Sequence, residues 1–258
     1  MSSLQTPVEH YMSSPVHTVA LDVDLNTAQA KLSGLGISSL AVVEGDRLAG
    51  VISMTDLIRV GRRQAEAGSE RELLTLPEMA VRQLMSKEVV AVAPGDAVGV
   101  AAHEMVRGHF HRVYVQKEGE LIGVLSTKDV MRAIQDKRMR SPISAWMSSP
   151  AFTVRATEPI SLAVERLEKA HISGLVVVDE GWPVGLLTQR EALEARDSSG
   201  DTLVDQVMNP AMLALDVSTP LHRAAAQAAA LRVRRVIAVK HRSIEGILTG
   251  IDFARAAA

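Results

Sequence analysis

Four returns of one short pattern constrain this chain more tightly than anything in its composition. The segments are GVISMTD from Gly50, GVLSTKD from Gly123, GLLTQRE from Gly185 and GILTGID from Gly246. Each is an apolar run that closes on a hydroxyl residue, with an acid three positions later and helical spacing beyond. That is a strand turning into a helix N-terminus. The hydroxyl (Ser53, Ser126, Thr188, Thr249) falls at the N-cap and the acid (Asp56, Asp129, Glu191, Asp252) at the third helical position. The spacing is that of a capping box. The same geometry has a second use, since exposed N–H groups and the helix dipole attract phosphate while a nearby acid accepts ribose hydroxyls. A single copy favours the cap; four copies raise the weight of the second use.

A further mark runs in the same register. Met12, Met85, Met147 and Met208 each stand 38 residues before a motif glycine, and three of them open related phrases, MSSP, MSSP and MNP. Between the two marks come a short strand, a helix entered through capping or proline signals such as Thr219-Pro220, and two apolar strands around a polar turn. The unit is β-α-β-β-α, about 60 residues long, and the fold class is α+β with an internal repeat. The expected division is a first repeat over 1–61, a charged linker over 62–78, and further repeats over 79–138, 139–200 and 201–258. The repeat starts lie 73, 62 and 61 residues apart. The surplus falls in Gly61 to Leu76, read as a solvated helix extension or linker, with a partner-binding feature as the alternative. A short basic junction, Ile134 to Ser144, marks the boundary between two halves.

Composition mainly excludes. There is no cysteine, hence no disulfide, thiolate metal site or thiol nucleophile. The formal charge of −2 gives no global pull toward nucleic acid or a membrane surface, and 3% aromatic residues argue against base-stacking platforms. No apolar run reaches the length of a membrane span, and the N-terminus lacks signal-peptide regions, so the expectation is a cytoplasmic protein with no membrane partner. G-x-S-x-G, Walker and H-E-x-x-H patterns are missing and the acids occur one per motif, so neither an enzyme nor a catalytic cofactor is expected. His103, His109 and His111 lie close in sequence but lack a fourth evident ligand, and no metal site is assigned. Trp146 and Trp182 read as packing or turn-capping residues, and the eleven methionines as core filler.

The repeated S/T-x-x-D/E segments, in register over about residues 5 to 258, resemble the cystathionine-β-synthase (CBS) domain family. The resemblance is to four copies making two tandem pairs, or Bateman modules, in an organisation similar to the γ subunit of the AMP-activated protein kinase. It implies that paired repeats pack their sheets with pseudo-twofold symmetry, form two clefts per pair, and together make a disc. It also implies that the acid takes ribose and the hydroxyl takes phosphate, facing the early strand of the partner repeat. One kind of cleft then joins Ser126 and Asp129 with Thr18 and Ser38, and likewise Thr249 and Asp252 with Thr153 and Ser173. These carry a full polar set and rank first. The other kind joins Ser53 and Asp56 with His111 and Arg112, and Thr188 and Glu191 with Arg234 and Arg235. Its cations, with Lys128 and Arg190, suit polyphosphate.

The resemblance therefore implies a regulatory protein taking AMP, ADP, ATP, S-adenosylmethionine or NAD as a ligand, with magnesium as a companion where phosphates require it. A protein partner or a homodimer would read the ligand-dependent change. A structural dimerisation module without ligand is the alternative. Nucleic acid has only Lys137-Arg138-Met139-Arg140 in its favour and is not expected.

Overall fold

The computed structural model describes residues 4–65, 72–195 and 198–258. The first repeat runs β1 (Thr18–Ala20), α1 (Leu25–Leu35), β2 (Ser39–Glu44), β3 (Arg47–Ser53) and α2 (Met54–Val60). A hairpin, β4 (Arg62–Ala65) and β5 (Glu72–Thr75), follows it. The second repeat has β6 (Ala91–Val92), α3 (Val98–Gly108), β7 (Arg112–Lys117), β8 (Glu120–Ser126) and α4 (Thr127–Asp136). The third has β9 (Thr153–Arg155), α5 (Ile160–Lys169), β10 (Gly174–Asp179), β11 (Trp182–Thr188) and α6 (Gln189–Glu194). The fourth opens on α7 (Val204–Val207) and continues with β12 (Ala214–Asp216), α8 (Leu221–Ala230), β13 (Arg235–Lys240), β14 (Ser243–Thr249) and α9 (Gly250–Ala257).

Each repeat is thus the β-α-β-β-α unit read from sequence, built as a three-stranded sheet with its middle strand between the other two. A helix separates the first two strands, which therefore run parallel, and a two-residue turn separates the last two, which run antiparallel. The middle strands carry the unbroken apolar triplets Leu40-Ala41-Val42, Val113-Tyr114-Val115, Leu175-Val176-Val177 and Val236-Ile237-Ala238, all buried. Runs of this kind suit strands covered on both faces. In the first repeat, α1 covers one face with Leu25, Ala28 and Leu32, at helical spacing. Asp24 caps its start through the Thr27 N–H, and Gly36, left-handed at φ 62°, ends it. In the third and fourth repeats the opposite faces of the two sheets meet through Val176, Leu186 and Ile237.

Pairing is reciprocal, and it explains the repeated glycines and methionines. The segment after each methionine bridges to the third strand of the partner repeat: Ser13 to Val124, Ser86 to Val51, Ser148 to Ile247 and Asn209 to Leu186. A Cβ on Gly50 would stand 2.5 Å from the Ser86 carbonyl oxygen and 2.9 Å from Met85 Sδ. On Gly246 it would meet the Ser148 carbonyl at 2.5 Å and Met147 Sδ at 2.9 Å, and on Gly185 it would meet Met208 Sδ at 2.5 Å. Each of these methionines therefore packs on the glycine of the partner repeat, not on the one 38 residues after it in its own. Glycine is needed because another backbone passes there.

The described chain divides into two compact units, one of residues 4–12, 94–113 and 125–258, the other of 13–93 and 114–124. In the first, α4 lies against α8 and α9, and α3 against α9. Gly250 permits the closest approach, since a Cβ there would sit 2.8 Å from Thr127 Oγ1. The N-terminal residues add to this unit through Leu4 N–H to the Ala257 carbonyl at 3.0 Å and Val98 N–H to the Thr6 carbonyl at 2.9 Å. The second unit has its own apolar cluster around Leu25, Leu32, Leu40, Ile52 and Leu57.

One expectation is corrected. The surplus after the first repeat is no helix extension: α2 ends at Val60, and β4 pairs antiparallel with β5 from Arg62 opposite Thr75 to Ala65 opposite Glu72. Within the same stretch, 66–71 lie outside the described residues. Among the described residues no helix is long and apolar enough to cross a membrane.

Candidate ligand-binding site

All four motifs form capping boxes. Asp56 Oδ2 accepts the Ser53 N–H at 2.9 Å and the Ser53 hydroxyl at 2.6 Å. Asp129 Oδ2 accepts the Ser126 N–H at 2.8 Å and hydroxyl at 2.7 Å. Glu191 Oε2 accepts the Thr188 N–H at 2.9 Å and also its hydroxyl. Asp252 Oδ2 accepts the Thr249 N–H and hydroxyl, both at 2.7 Å. Glutamate does the work of aspartate in the third copy by the same oxygen. Beyond that common frame the copies differ, because Asp129 and Asp252 are buried whereas Asp56 and Glu191 are half-buried.

The early-strand residues occupy equivalent register positions: Thr18 opposite Ala41, Thr153 opposite Val176, and Ala91 and Ala214 opposite Tyr114 and Ile237. The Thr18 carbonyl accepts Lys31 Nζ at 2.7 Å, and that of Thr153 accepts Arg166 Nη1 at 3.2 Å. Before the second strands, the carbonyls of Ser38, His111 and Ser173 accept the N–H of Met54, Thr127 and Gln189, so each ties the entry of its strand to the start of its own motif helix.

Arg235 joins two of the residue sets that the sequence separates. It lies opposite Thr249 in the β13–β14 register, yet its Nη2 donates to the carbonyl and hydroxyl of Ser173 at 3.1 and 3.0 Å. Gly174, opposite Thr188, provides the room, since a Cβ there would lie 3.3 Å from both Arg235 Nε and Thr188 Cγ2. Ser173 is thereby held by the cation from the other set while Thr153, Thr249 and Asp252 keep their own partners.

Around Arg235 the cations of three repeats gather. Burial lowers the pKa of Arg235 and Arg234, and the neighbouring Arg234 and Arg190 respectively push the same way; Glu191 partly offsets the effect at Arg235. Lys128 is lowered by burial, then by Arg234 and Arg232, with Asp129 opposing. His111 is brought down to about 4 by burial and by Arg234, Arg235 and Arg112. A substantial part of its surface remains exposed, so salt screens the cationic share. His111 and Arg112 from the second repeat, Lys128 beside them and Arg190, Arg234 and Arg235 from the third and fourth thus form one positive centre, offset in part by Glu191, by Asp129 and by Glu194, which pairs with Arg190 at 3.0 Å. Arg232 belongs to it too, and only its place two residues before Arg234 could have signalled that.

Two arginines escaped the sequence reading. Arg132 Nη2 donates to Asp129 Oδ1 at 2.6 Å and to the Tyr11 carbonyl at 2.8 Å. Arg255 Nη2 donates to Asp252 Oδ1 at 2.7 Å and to the Trp146 carbonyl. The available signal was an arginine three residues after an acid on one helix face. Among the described residues no group of three or more His, Asp or Glu could hold a metal ion.

Paired β-α-β-β-α units with a polar motif at each helix entry define a tandem-repeat module. The CBS domain family model matches residues 8–63, 81–136 and 143–198, more than half of the sequence, and the chain belongs to that family. The fourth unit lies outside those matches but repeats the same elements and register. The chain is similar to the structure of MJ1225 from Methanocaldococcus jannaschii, described as a proposed archaeal homologue of γ-AMPK. That similarity has a TM-score of 0.76 and 17% identity and covers 98% of this chain and all of that one. An uncharacterized conserved protein from Pyrococcus horikoshii gives 0.71 and 19%, again over 98% of this chain and all of the other. In sequence it is 26% identical to the uncharacterized protein MJ1404 of M. jannaschii over 96% of this chain, and spans 61% of that relative's length.

Proposed function

We propose that this chain is a regulatory, non-catalytic protein that binds an adenine nucleotide or another adenosine-containing ligand between paired repeats. AMP, ADP, ATP, S-adenosylmethionine and NAD belong to this ligand class. The observation that carries the reading is the positive centre in which half-buried Arg234 and Arg235 meet the exposed His111, Lys128 and Arg190 beside the Thr188–Glu191 capping box. Gathering like charges where burial already disfavours them opposes folding, and an anionic ligand would reverse the sign of that contribution. Guanidinium groups form charge-assisted, bidentate bonds with phosphate, so the phosphates occupy the centre. Glu191, half-buried beside that centre, is the motif acid available there to ribose hydroxyls. A bound phosphate would draw together side chains from three repeats and so favour one arrangement of the chain, which a protein partner or a second copy reads by differential affinity.

Equilibrium dialysis with AMP and ATP tests this. Saturable binding that weakens about tenfold or more in Arg235→Ala, as loss of a charge-assisted contact requires, supports it. No binding at millimolar nucleotide would leave a structural interaction module.

A further inference from the structure

The motif acids of the second and fourth repeats differ from the other two in what holds their outer oxygen. Asp252 is 3% exposed, and its carboxylate takes the Thr249 N–H and hydroxyl on one oxygen and Arg255 with the Ser148 hydroxyl, at 3.4 Å, on the other. Four donors fill the lone-pair positions a carboxylate offers. Asp129, 7% exposed, repeats the arrangement with Ser126 and Arg132. In both cases the same guanidinium nitrogen also holds a main-chain carbonyl, Trp146 or Tyr11, of the residue immediately before a repeat-opening methionine. Among the described residues, the other two repeats do not show this double grip. Arg59 stands 3.5 Å from the half-buried Asp56, and the corresponding position after Glu191 is Glu194, which pairs with Arg190 instead.

We propose that Arg132 and Arg255 are latches, each masking the acid that would accept a ribose and at the same time pinning the chain that leads into the partner repeat. The proposal rests on the adenosine-ligand reading and adds that the four motifs are unequal. Those of the second and fourth repeats, which have the fullest polar sets in the sequence, are closed to ribose in the latched state. For a ligand to use Asp252, Arg255 must leave Oδ1, and the same Nη2 then gives up the Trp146 carbonyl. Ligand entry at these motifs is thereby coupled to release of the Trp146–Ser148 segment, whose Ser148 bridges Ile247 on the motif strand.

Calorimetric titration of the full chain with AMP decides the matter, using wild type, Arg255→Ala, Arg255→Gln and the double variant Arg255→Gln with Asp252→Asn. The latch predicts that both single variants bind one more AMP per chain than wild type, or bind AMP at least tenfold more tightly, and that the double variant loses the gain. Unchanged stoichiometry and affinity in the single variants overturn the latch, as does a gain that survives Asp252→Asn. Wild type that binds no AMP while Arg255→Gln does retains the latch and removes the proposed function of the wild-type clefts; no binding by either removes both. Should Arg255→Ala fail to fold, Arg255→Gln carries the comparison. Failure of both to fold makes the arginine a structural support and overturns its role as a latch.

Discussion

Met147 Sδ lies against the Cα of Gly246, in the partner repeat, at a spot where a Cβ would come within 2.9 Å of the sulfur and 2.5 Å of the Ser148 carbonyl oxygen. The thioether could turn aside, but the carbonyl belongs to the main chain that bridges Ile247 and cannot. Gly246→Ala is therefore expected to destabilise the protein by about 1–3 kcal/mol, the cost of overpacking a fixed contact. Gly34→Ala, in α1 with open space around its Cα, is expected to stabilise by about 0.5–1 kcal/mol through helix propensity. Urea unfolding of the two variants checks the opposite signs.

Asp252 is more deeply engaged than Glu191, and their truncation should show it. Asp252→Ala removes the N-terminal capping box of α9 and leaves Arg255 without its carboxylate, a loss of about 2–4 kcal/mol from a cap and charged hydrogen bonds. Glu191→Ala removes a half-buried box from the short α6, for about 1 kcal/mol. Equal losses in denaturant midpoint, at unchanged slope, would contradict this ordering.

The titration of His111 gives a pH dependence with a definite sign. Its pKa falls from 6.5 to about 4 on folding, so between those values the unfolded chain holds a proton that the folded chain lacks. The contribution to stability is fully present above about pH 6.5 and is lost as the pH falls toward 4. His111→Asn should flatten the decline over that window, measured by urea midpoints at a series of pH values. High salt should shrink the effect, because His111 is partly exposed and the Arg234, Arg235 and Arg112 charges are then screened.

Ligand and proton should also be linked through that imidazole. A phosphate placed beside His111 counters the arginines and raises its pKa, so nucleotide binding is expected to strengthen as the pH drops from about 6.5 to 5. The imidazole proton resonance of His111, followed by NMR, should titrate near 4 without ligand and at higher pH with AMP. A midpoint unmoved by bound AMP would place the phosphate elsewhere.

Much of this architecture is legible in the residues because local signals and the global fold agree. The S/T-x-x-D/E spacing announces each helix entry, and each of the four boxes forms. The equivalence of Thr18, Ala91, Thr153 and Ala214 is matched by their strand register. What escapes is long-range. The interval from Met147 to Gly185 is visible, but the packing partner of that methionine is Gly246, a choice made by sheet pairing between repeats. Ser173 reads as part of one polar set, yet Arg235 is long enough to cross a glycine and claim it. The stretch after Val60 has charges that fit a solvated helix, whereas the chain pairs as β4 and β5, since charge density alone does not select between the two.

Whether the positive centre takes an anionic adenosine ligand decides what this chain does. A thermal-shift screen of stripped protein against AMP, ADP, ATP, NAD, S-adenosylmethionine and cyclic di-AMP measures this directly, because a ligand that binds only the folded state raises the melting temperature. At a hundredfold excess over Kd the gain is about 2.7 kcal/mol. The predicted result is an upward shift with at least one of these ligands, reduced in Arg235→Ala. No shift with any of them, from protein verified free of bound nucleotide, would contradict it.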